Sequence, residues 1–248
     1  EIGSGLVGSE MCIRDSSGMM TDFNRGKNWR DNAVLYRMNA QSHQIEQAFK
    51  RNGIPYKIFG GTGFFDRAEI KDMLAYLCVI ASPDDDLRLG RIINNPPRGI
   101  GAKSIETAAA IAHENNCSLF SVISKADLYP DLSRAAPRML LFAGMINELM
   151  AQKDELAPDL LYDQLVERTG YLRMLEEKHT VEDDARAQNI KELKSSIINY
   201  KGETDNPTLE GYLADVALYT DMDNYDDSTD CVVCLLYTSP SPRDRSLS

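Results

Sequence analysis

The chain has 248 residues, of which 43% are hydrophobic and 26% are charged, and its formal net charge at pH 7 is −11. This is the composition of a globular protein with one large or two ordinary domains, and no run of about 18 apolar residues predicts a transmembrane helix. The acidic balance argues mildly against a protein that coats nucleic acid nonspecifically, although it does not exclude a local basic channel.

The first and last stretches of the chain show no helical or strand periodicity. Residues 6–16, LVGSEMCIRDS, and residues 234–244, CLLYTSPSPRD, resemble the two orientations of a translated transposase adapter from a sequencing library. We therefore expect residues 1–16 and 233–248 to be disordered artefacts outside the fold, and the protein itself to be a fragment open at both ends. The alternative is a pair of ordinary disordered tails.

Cysteine and histidine residues give no strong signal of a metal or redox site. The five cysteines do not suggest a disulfide framework at this length, which predicts a reducing cytosol. Cys231 and Cys234 have the spacing of half a redox or zinc site, but Cys234 falls in the expected tail. His43, His113 and His179 show no ligand spacing, so no metal site of the protein's own is predicted.

The first credible element is a strand with an unusual end. Residues 33–37 predict a short buried strand, yet it closes on Tyr36 and Arg37, whose side chains have polar tips. Residues 41–52 then predict a helix, with its apolar residues on one face and Gly53 as a left-handed stop.

A second strand and two helices follow. Residues 56–59, YKIF, predict a strand, and the glycine-rich residues 60–63 predict a turn. Residues 64–80 contain a helix, because apolar side chains recur at helical spacing at Ile70, Met73, Leu74 and Leu77. Residues 82–97 predict another helix that is capped by Ser82 and ended by two prolines.

After the RGIG sequence at 98–101 all the periodic segments are helical, and a change of composition near 126–134 suggests a domain boundary. The predicted fold class is therefore α/β followed by all-α. Two strands do not make a stable α/β sheet. We therefore expect the other strands to come from residues outside this chain, and the α/β half to be unstable alone.

Several stretches, in order, resemble the UvrD/PcrA/Rep family of superfamily 1 DNA helicases, and in particular its members from Gram-positive bacteria. They are AVLYRMNAQSH, GGTGFFDRAEIKDMLAYL, RIINNPPRGIG, TGYLRML and TLEGYLADVALYTDMDNYD, which together span about residues 20–232. The resemblance implies that residues 17–131 are the first part of a RecA-like P-loop NTPase motor domain, 2A. Residues 132–232 would be its helical insert, 2B, and the fold would be incomplete.

The same resemblance implies a nucleotide-binding role for the end of the first strand. In the family, the tyrosine at the position of Tyr36 packs on adenine, and the arginine at the position of Arg37 reaches the γ-phosphate across a cleft. ATP and Mg²⁺ would be bound mainly by a first motor domain, since this chain has no GxxxxGK[ST] phosphate loop. The alternative is a tyrosine at a sheet edge and an arginine paired with a surface acid.

Single-stranded DNA contacts are implied for Asn39 and for two segments farther along the chain. The candidate residues are Asn39, Phe64, Arg67, Lys71, Arg98, Gly99, Gly101 and Lys103. In the first segment, Arg67 and Lys71 lie one turn apart on the predicted helix and could contact phosphate, although Phe64 and its neighbour suit a core better than a stacking platform. In the second segment, the glycine hairpin opens a helix, whose backbone amides could hold a phosphate. A solvated helix face and a plain turn are the alternatives.

Duplex contacts are implied for the TGYLR sequence. The candidates are Thr169, Gly170, Tyr171 and Arg173, with the glycine turning the backbone and the threonine and arginine facing phosphates. A simple capped helix is the alternative.

We therefore expect a fragment of a bacterial, cytoplasmic, ATP-dependent 3′→5′ DNA helicase that acts in repair or replication, binds single-stranded DNA and duplex junctions, and is not a membrane protein. This chain alone is expected to lack ATPase activity. A non-enzymatic DNA-binding or interaction module and a helicase-like subunit of a recombination nuclease are the alternatives.

Overall fold

The structure is a computed structural model, and the residues that it describes are 28–36, 45–49, 51–59, 63–221 and 230–236. The chain divides into two compact units. The sheet unit comprises Glu1–Arg67 with Leu218–Ser248, and the helical unit comprises Ala68–Ala217. Residue 131, near which the sequence predicts a domain boundary, lies within the helical unit.

The sheet unit is built on three parallel strands, β1 (Ala33–Tyr36), β2 (Tyr56–Phe59) and β3 (Val232–Leu236). Their order in the sheet is β1-β3-β2, so the last strand of the chain lies in the centre. Tyr36 is level with Leu236. The polypeptide between β2 and β3 contains the whole helical unit, which is therefore inserted between two neighbouring strands.

Strand β3 corrects two expectations from the sequence. The prediction that residues 233–248 are disordered is wrong for 233–236, which form most of the central strand. Residues 237–248 lie outside the described residues. The prediction of only two strands is wrong as well, because the apolar run VVCLL supplies parallel partners to both β1 and β2.

The core of the sheet unit lies on one side of the sheet. It contains seven buried residues, Trp29, Tyr36, Ile45, Phe49, Ile54, Val232 and Cys234. Strand β1 is not a fully buried strand as predicted, since Leu35 is 64% exposed while Tyr36 is buried. Side chains alternate between the two faces of a strand, and only the face with Tyr36 meets this core.

The helical unit contains nine α-helices of the described chain, the last of which runs past its boundary. They are α1 (Ala68–Ala81), α2 (Asp86–Ile92), α3 (Ala102–Glu114), α4 (Leu119–Ile123), α5 (Ala136–Gln152), α6 (Pro158–Thr169), α7 (Tyr171–Glu176), α8 (Val181–Glu203) and α9 (Leu209–Asp221). These bounds confirm the helices that the sequence predicts after residue 101. Apolar faces of α1, α5, α6 and α8 supply fully buried side chains to the interior. None of the helices described is long and apolar enough to cross a membrane.

Two helix starts differ from the prediction. Helix α2 begins at Asp86 rather than after Ser82, because the Asp85 side chain accepts a hydrogen bond from the backbone N–H of Arg88 at 2.9 Å and caps the helix. Arg67 has an extended backbone before α1 begins at Ala68, so Arg67 and Lys71 are not one turn apart on a helix.

Candidate functional site

The carboxyl ends of the three parallel strands bring the predicted nucleotide-binding residue to one edge of the sheet unit. Tyr36 is the last residue of β1, and Gly63 and Phe64 follow β2 closely at the same edge. Open α/β sheets bind ligands outside the carboxyl ends of their strands, at positions where the chain order reverses. Arg37 and Asn39 lie outside the described residues.

Tyr36 has no open ring face in this structure, because it is 4% exposed and belongs to the core of the sheet unit. Burial raises its pKa, as do the nearby Cys234 and Glu46, while Arg67 opposes the rise. The phenol therefore stays neutral at ordinary pH. A base could stack on this ring only if the cover on one face opened.

Glu46 is a buried carboxylate at the same edge and was not predicted from the sequence. It is 2% exposed and accepts hydrogen bonds from the backbone N–H of Phe64 at 3.2 Å and from the Tyr56 hydroxyl at 3.5 Å. Glu46 thus fixes the segment after β2 to the helical residues 45–49. The sequence signal that could have identified Glu46 is the position of a carboxylate next to the apolar face of a short helix.

The segment after β2 is enclosed rather than open. Phe64 is 0% exposed and forms an edge-to-face pair with Phe65 at 5.2 Å between ring centroids, in agreement with a core role. Arg67 is 6% exposed, and its guanidinium carbon lies 5.2 Å from the centre of the Phe64 ring. Neither side chain presents a surface to DNA here, whereas Lys71 in the helical unit is exposed.

The RGIG segment, residues 98–101, connects α2 to α3 in the helical unit. Arg98 turns inward: one terminal nitrogen donates to the carbonyls of Ile92, Ile93 and Pro96, and the other donates to the Tyr76 hydroxyl at 2.6 Å. Its guanidinium also stacks over Phe142, with 4.9 Å to the ring centre. Arg98 therefore shapes the segment, and its guanidinium is engaged within the protein.

Gly99 and Gly101 of the RGIG segment are exposed, whereas Ile100 between them is buried. Gly99 has a φ of +69°, and Gly101 precedes α3 as its N-terminal cap residue. The Asn94 side-chain oxygen accepts from the backbone N–H groups of Arg98 and Ile100, at 2.8 and 3.3 Å, and holds the turn closed. Lys103 is exposed in the first turn of α3.

Arg138 is a further basic residue near the RGIG segment and was not predicted from the sequence. Its Nε atom lies 3.3 Å from where a Cβ on Gly99 would stand, so the side chain lies over the RGIG segment. Arg138 belongs to α5, about forty residues farther along the chain, so periodicity could not connect the two. Together with Lys103 it places positive charge around the glycine turn.

The TGYLR segment, residues 169–173, joins α6 to α7 and is only partly exposed. Thr169 is 8% exposed, and its hydroxyl donates to the Leu165 carbonyl at 2.8 Å. Gly170 has a φ of +67°, and Tyr171 is 5% exposed with its hydroxyl 2.6 Å from Asp72 Oδ2. Of the four predicted duplex contacts, Arg173 presents an exposed side chain.

A cavity of about 330 Å³ lies beside the TGYLR segment, between α6, α7 and α8. Arg173, Lys191 and Lys194 line it together with acidic residues. Lys191 pairs with Glu176 at 3.1 Å and Lys194 with Asp163 at 2.7 Å, so much of its charge is balanced internally. Within the described ranges, no group of three or more His, Cys, Asp and Glu side chains is arranged to hold a metal ion.

Comparison with known proteins connects these segments to one family. The sequence model of the family described as the UvrD-like helicase C-terminal domain matches residues 13–234. The ATP-dependent DNA helicase PcrA of Staphylococcus aureus strain Mu50 is 36% identical over 220 residues, which cover 88% of this chain and 30% of the relative.

Two further relatives carry the same name. PcrA of Bacillus subtilis strain 168 is 40% identical over 196 residues, covering 79% of this chain and 26% of the relative. PcrA of Staphylococcus epidermidis is 36% identical over 203 residues, which cover 81% of this chain and 28% of the relative. The chain thus spans less than a third of the length of these curated relatives.

Proposed function

Because the chain belongs to the family of UvrD-like helicase C-terminal domains, we propose that it acts as one segment of an ATP-dependent 3′→5′ DNA helicase. The observation that carries this proposal is the family match over residues 13–234, which includes both compact units. Relatives named as ATP-dependent DNA helicases, which cover most of the chain, support it. DNA is the substrate of the proposed enzyme, and ATP bound with Mg²⁺ drives it.

The two compact units fit the roles of a motor domain and its helical insert. We assign the RecA-like domain 2A to the sheet unit and the insert 2B to Ala68–Ala217, instead of dividing them near residue 131. The topology supports this assignment, because the helical unit enters and leaves between β2 and β3, which are neighbours in one sheet.

In this proposal Arg37 supplies the chain's main contribution to ATP hydrolysis. It follows Tyr36 in sequence, and Tyr36 ends β1 at the edge where parallel sheets bind ligands. A guanidinium presents a planar fork of donors to phosphate oxygens. An arginine that reaches the phosphate across a cleft accelerates hydrolysis by roughly 10³–10⁵-fold. Tyr36 fixes the strand end through the core, and base stacking would require its ring to be uncovered.

The DNA-contacting surface is proposed to lie on the helical unit. Backbone amides near Gly99 and Gly101, with Lys103 and Arg138 beside them, are suited to a phosphate backbone. Gly170 and Arg173 are the corresponding groups of the TGYLR segment. Phosphate contacts of this kind position a protein without reading sequence, which suits an enzyme that moves along DNA.

The proposal is tested in a chimaera in which residues 13–234 replace the aligned segment of the Bacillus subtilis relative. We expect Arg37→Ala to retain binding of a fluorescent ATP analogue and to lower DNA-stimulated turnover by roughly 10³-fold or more. Arg37→Lys should recover little, because an ammonium group lacks the planar fork.

Arg51→Ala serves as the control, since it removes an exposed arginine from the same unit and should leave turnover unchanged. Unchanged turnover in Arg37→Ala would show that this residue has no such role, and a chimaera without DNA-stimulated hydrolysis would contradict the proposed function.

A further inference from the structure

Asp72 is a buried carboxylate in α1 that binds three side chains from different parts of the helical unit. It is 4% exposed. Its Oδ1 accepts from Arg91 Nε at 2.6 Å, and its Oδ2 accepts both from Asn95 Nδ2 at 2.5 Å and from the Tyr171 hydroxyl at 2.6 Å. A buried charge is stable only when it is paired and hydrogen-bonded in this way.

The hydrogen bond from Asn95 to Asp72 is one arm of this network, and it connects Asp72 to the RGIG segment. The backbone carbonyl of Asn95 accepts from the Tyr76 hydroxyl at 2.7 Å, and that hydroxyl accepts from Arg98 at 2.6 Å. The side chain and the backbone of Asn95 are therefore both fixed to groups on α1. Two further contacts of Arg98, with the carbonyls of Ile92 and Pro96, hold the turn that leads into Gly99.

The Tyr171 arm leads to the TGYLR segment. Tyr171 follows Gly170, where the left-handed backbone joins α6 to α7, and its ring is 5% exposed. Burial raises the pKa of Tyr171, and the hydrogen bond to Asp72 raises it further, so the hydroxyl remains a donor. Tyr171 and Asp72 are 99 residues apart in sequence, so this bond closes a long loop of the chain.

We propose that Asp72 is a positioning residue that sets the spacing between the RGIG and TGYLR segments by sharing one carboxylate oxygen between Asn95 and Tyr171. The inference rests on the proposed function, in which both segments contact DNA. Two phosphate-binding segments held at a fixed distance engage a junction of duplex and single-stranded DNA with less loss of conformational freedom than two independent segments. Breaking one of the two hydrogen bonds leaves each segment folded but allows the distance between the two segments to vary.

Tyr171→Phe tests the link, because it removes one hydroxyl and keeps the buried ring. Hydrogen exchange of the full chain should become roughly three- to tenfold faster at residues 94–101, the factor that the loss of one hydrogen bond gives. Asn95→Ala breaks the other arm and should speed exchange at residues 169–174 in turn, because coupling between two sites is reciprocal.

Tyr162→Phe is the matched control, since the Tyr162 hydroxyl is also buried and donates to the Ile190 carbonyl at 2.9 Å, away from Asp72. This control should leave exchange at residues 94–101 unchanged. Equal effects of Tyr162→Phe and Tyr171→Phe there, or no effect of Tyr171→Phe, would overturn the link.

Binding of the full chain to a labelled DNA hairpin with a single-stranded tail provides the functional measurement. We expect Tyr171→Phe to weaken duplex binding roughly three- to tenfold and Tyr162→Phe to leave it unchanged. If the unaltered chain binds no duplex, the proposed DNA-contacting surface fails, and the positioning role fails with it. If the unaltered chain binds and Tyr171→Phe binds equally well, only the positioning role is overturned.

Discussion

Asp230 joins two segments of the sheet unit that lie about 200 residues apart in the chain. Its carboxylate accepts from the backbone N–H groups of Trp29 and Arg30, at 3.0 and 2.8 Å, and from Arg30 Nε at 3.2 Å. These bonds, led by that from the Arg30 backbone, hold the pKa of Asp230 below its usual range. One side chain thus fastens the start of β3 to the short 3-10 helix Trp29–Asp31, which precedes β1.

The Asp230 contact gives the sheet unit a specific dependence on pH. A carboxyl group with a depressed pKa in the folded state contributes stability above its unfolded pKa of about 3.9, and loses it as the pH falls through the folded value. Trp29 is the only tryptophan of the chain and is buried in this unit, so its fluorescence reports unfolding there. We expect the urea midpoint by Trp29 fluorescence to fall between pH 7 and pH 3.

Asp230→Asn should lower this midpoint at pH 7 and reduce its change with pH, since the amide does not ionise. Asp131→Asn, at an exposed position in the helical unit, is the control and should change neither. A pH dependence that is identical in Asp230→Asn and the unaltered chain would contradict the role given to this carboxylate.

Two glycines of the helical unit are expected to respond in opposite ways to replacement by alanine. Gly170 links α6 to α7 with a φ of +67°, a conformation that an alanine adopts only with strain. Gly144 lies inside α5, and a Cβ added there would meet nothing within 4 Å. Alanine stabilises a helix interior because it loses less conformational freedom than glycine on folding.

We therefore expect Gly170→Ala to destabilise the helical unit by about 1 kcal/mol and Gly144→Ala to stabilise it by about 0.5–1 kcal/mol. Thermal unfolding followed by circular dichroism at 222 nm measures both variants. The same sign of shift for the two substitutions would contradict the difference in backbone geometry between these positions.

Elements governed by local signals could be predicted from the sequence. The helices after residue 101 and the strand Tyr56–Phe59 have clear periodicity, and Gly53 does end its helix with a φ of +63°. The start of α2 could not be fixed, because Ser82 and three consecutive aspartates all suit a cap, and Asp85 takes the role. Strand β3 could not be identified either, since its partners lie far away in sequence.

The candidate site was less predictable than the elements, because exposure is decided by tertiary contacts. The sequence indicated Tyr36, Arg98, Thr169 and Tyr171 as contact residues, yet their polar groups or rings are largely used inside the protein. The residues that organise these segments are Glu46, Asp72 and Asn94. The partners of Glu46 and Asp72 lie 10 or more residues away in sequence, whereas Asn94 accepts from backbone N–H groups four and six residues ahead. Their spacing alone gave no sign of those partners.

The whole molecule is one sheet unit interrupted by one helical unit. The chain leaves the sheet after β2 and returns to it at β3, in the central position between β1 and β2. In the described sheet β1 and β2 each pair with β3, so both lose this partner strand if β3 is removed. The helical unit, by contrast, is continuous in sequence from Ala68 to Ala217 and carries its own buried core.

Two truncations test this difference between the units. We expect a chain ending at residue 229 to expose Trp29, with a red-shifted fluorescence spectrum, and to keep the helical circular dichroism signal and its thermal midpoint. A chain ending at residue 236 should keep the spectrum of the full protein, because it retains all of β3. Trp29 fluorescence that is unaltered by the shorter truncation would show that β3 is dispensable for this core.

The central position of β3 also constrains the order of events on the ribosome. Roughly 170 residues separate the end of β2 from the start of β3, and translation at ~5–20 residues per second takes roughly 10–30 seconds to make them. During that time β1 and β2 have been synthesised but still lack their shared neighbour, while the intervening helices can already fold. The nascent chain therefore carries two unsatisfied strand edges for many seconds, which makes it a natural client for chaperones that shield such edges.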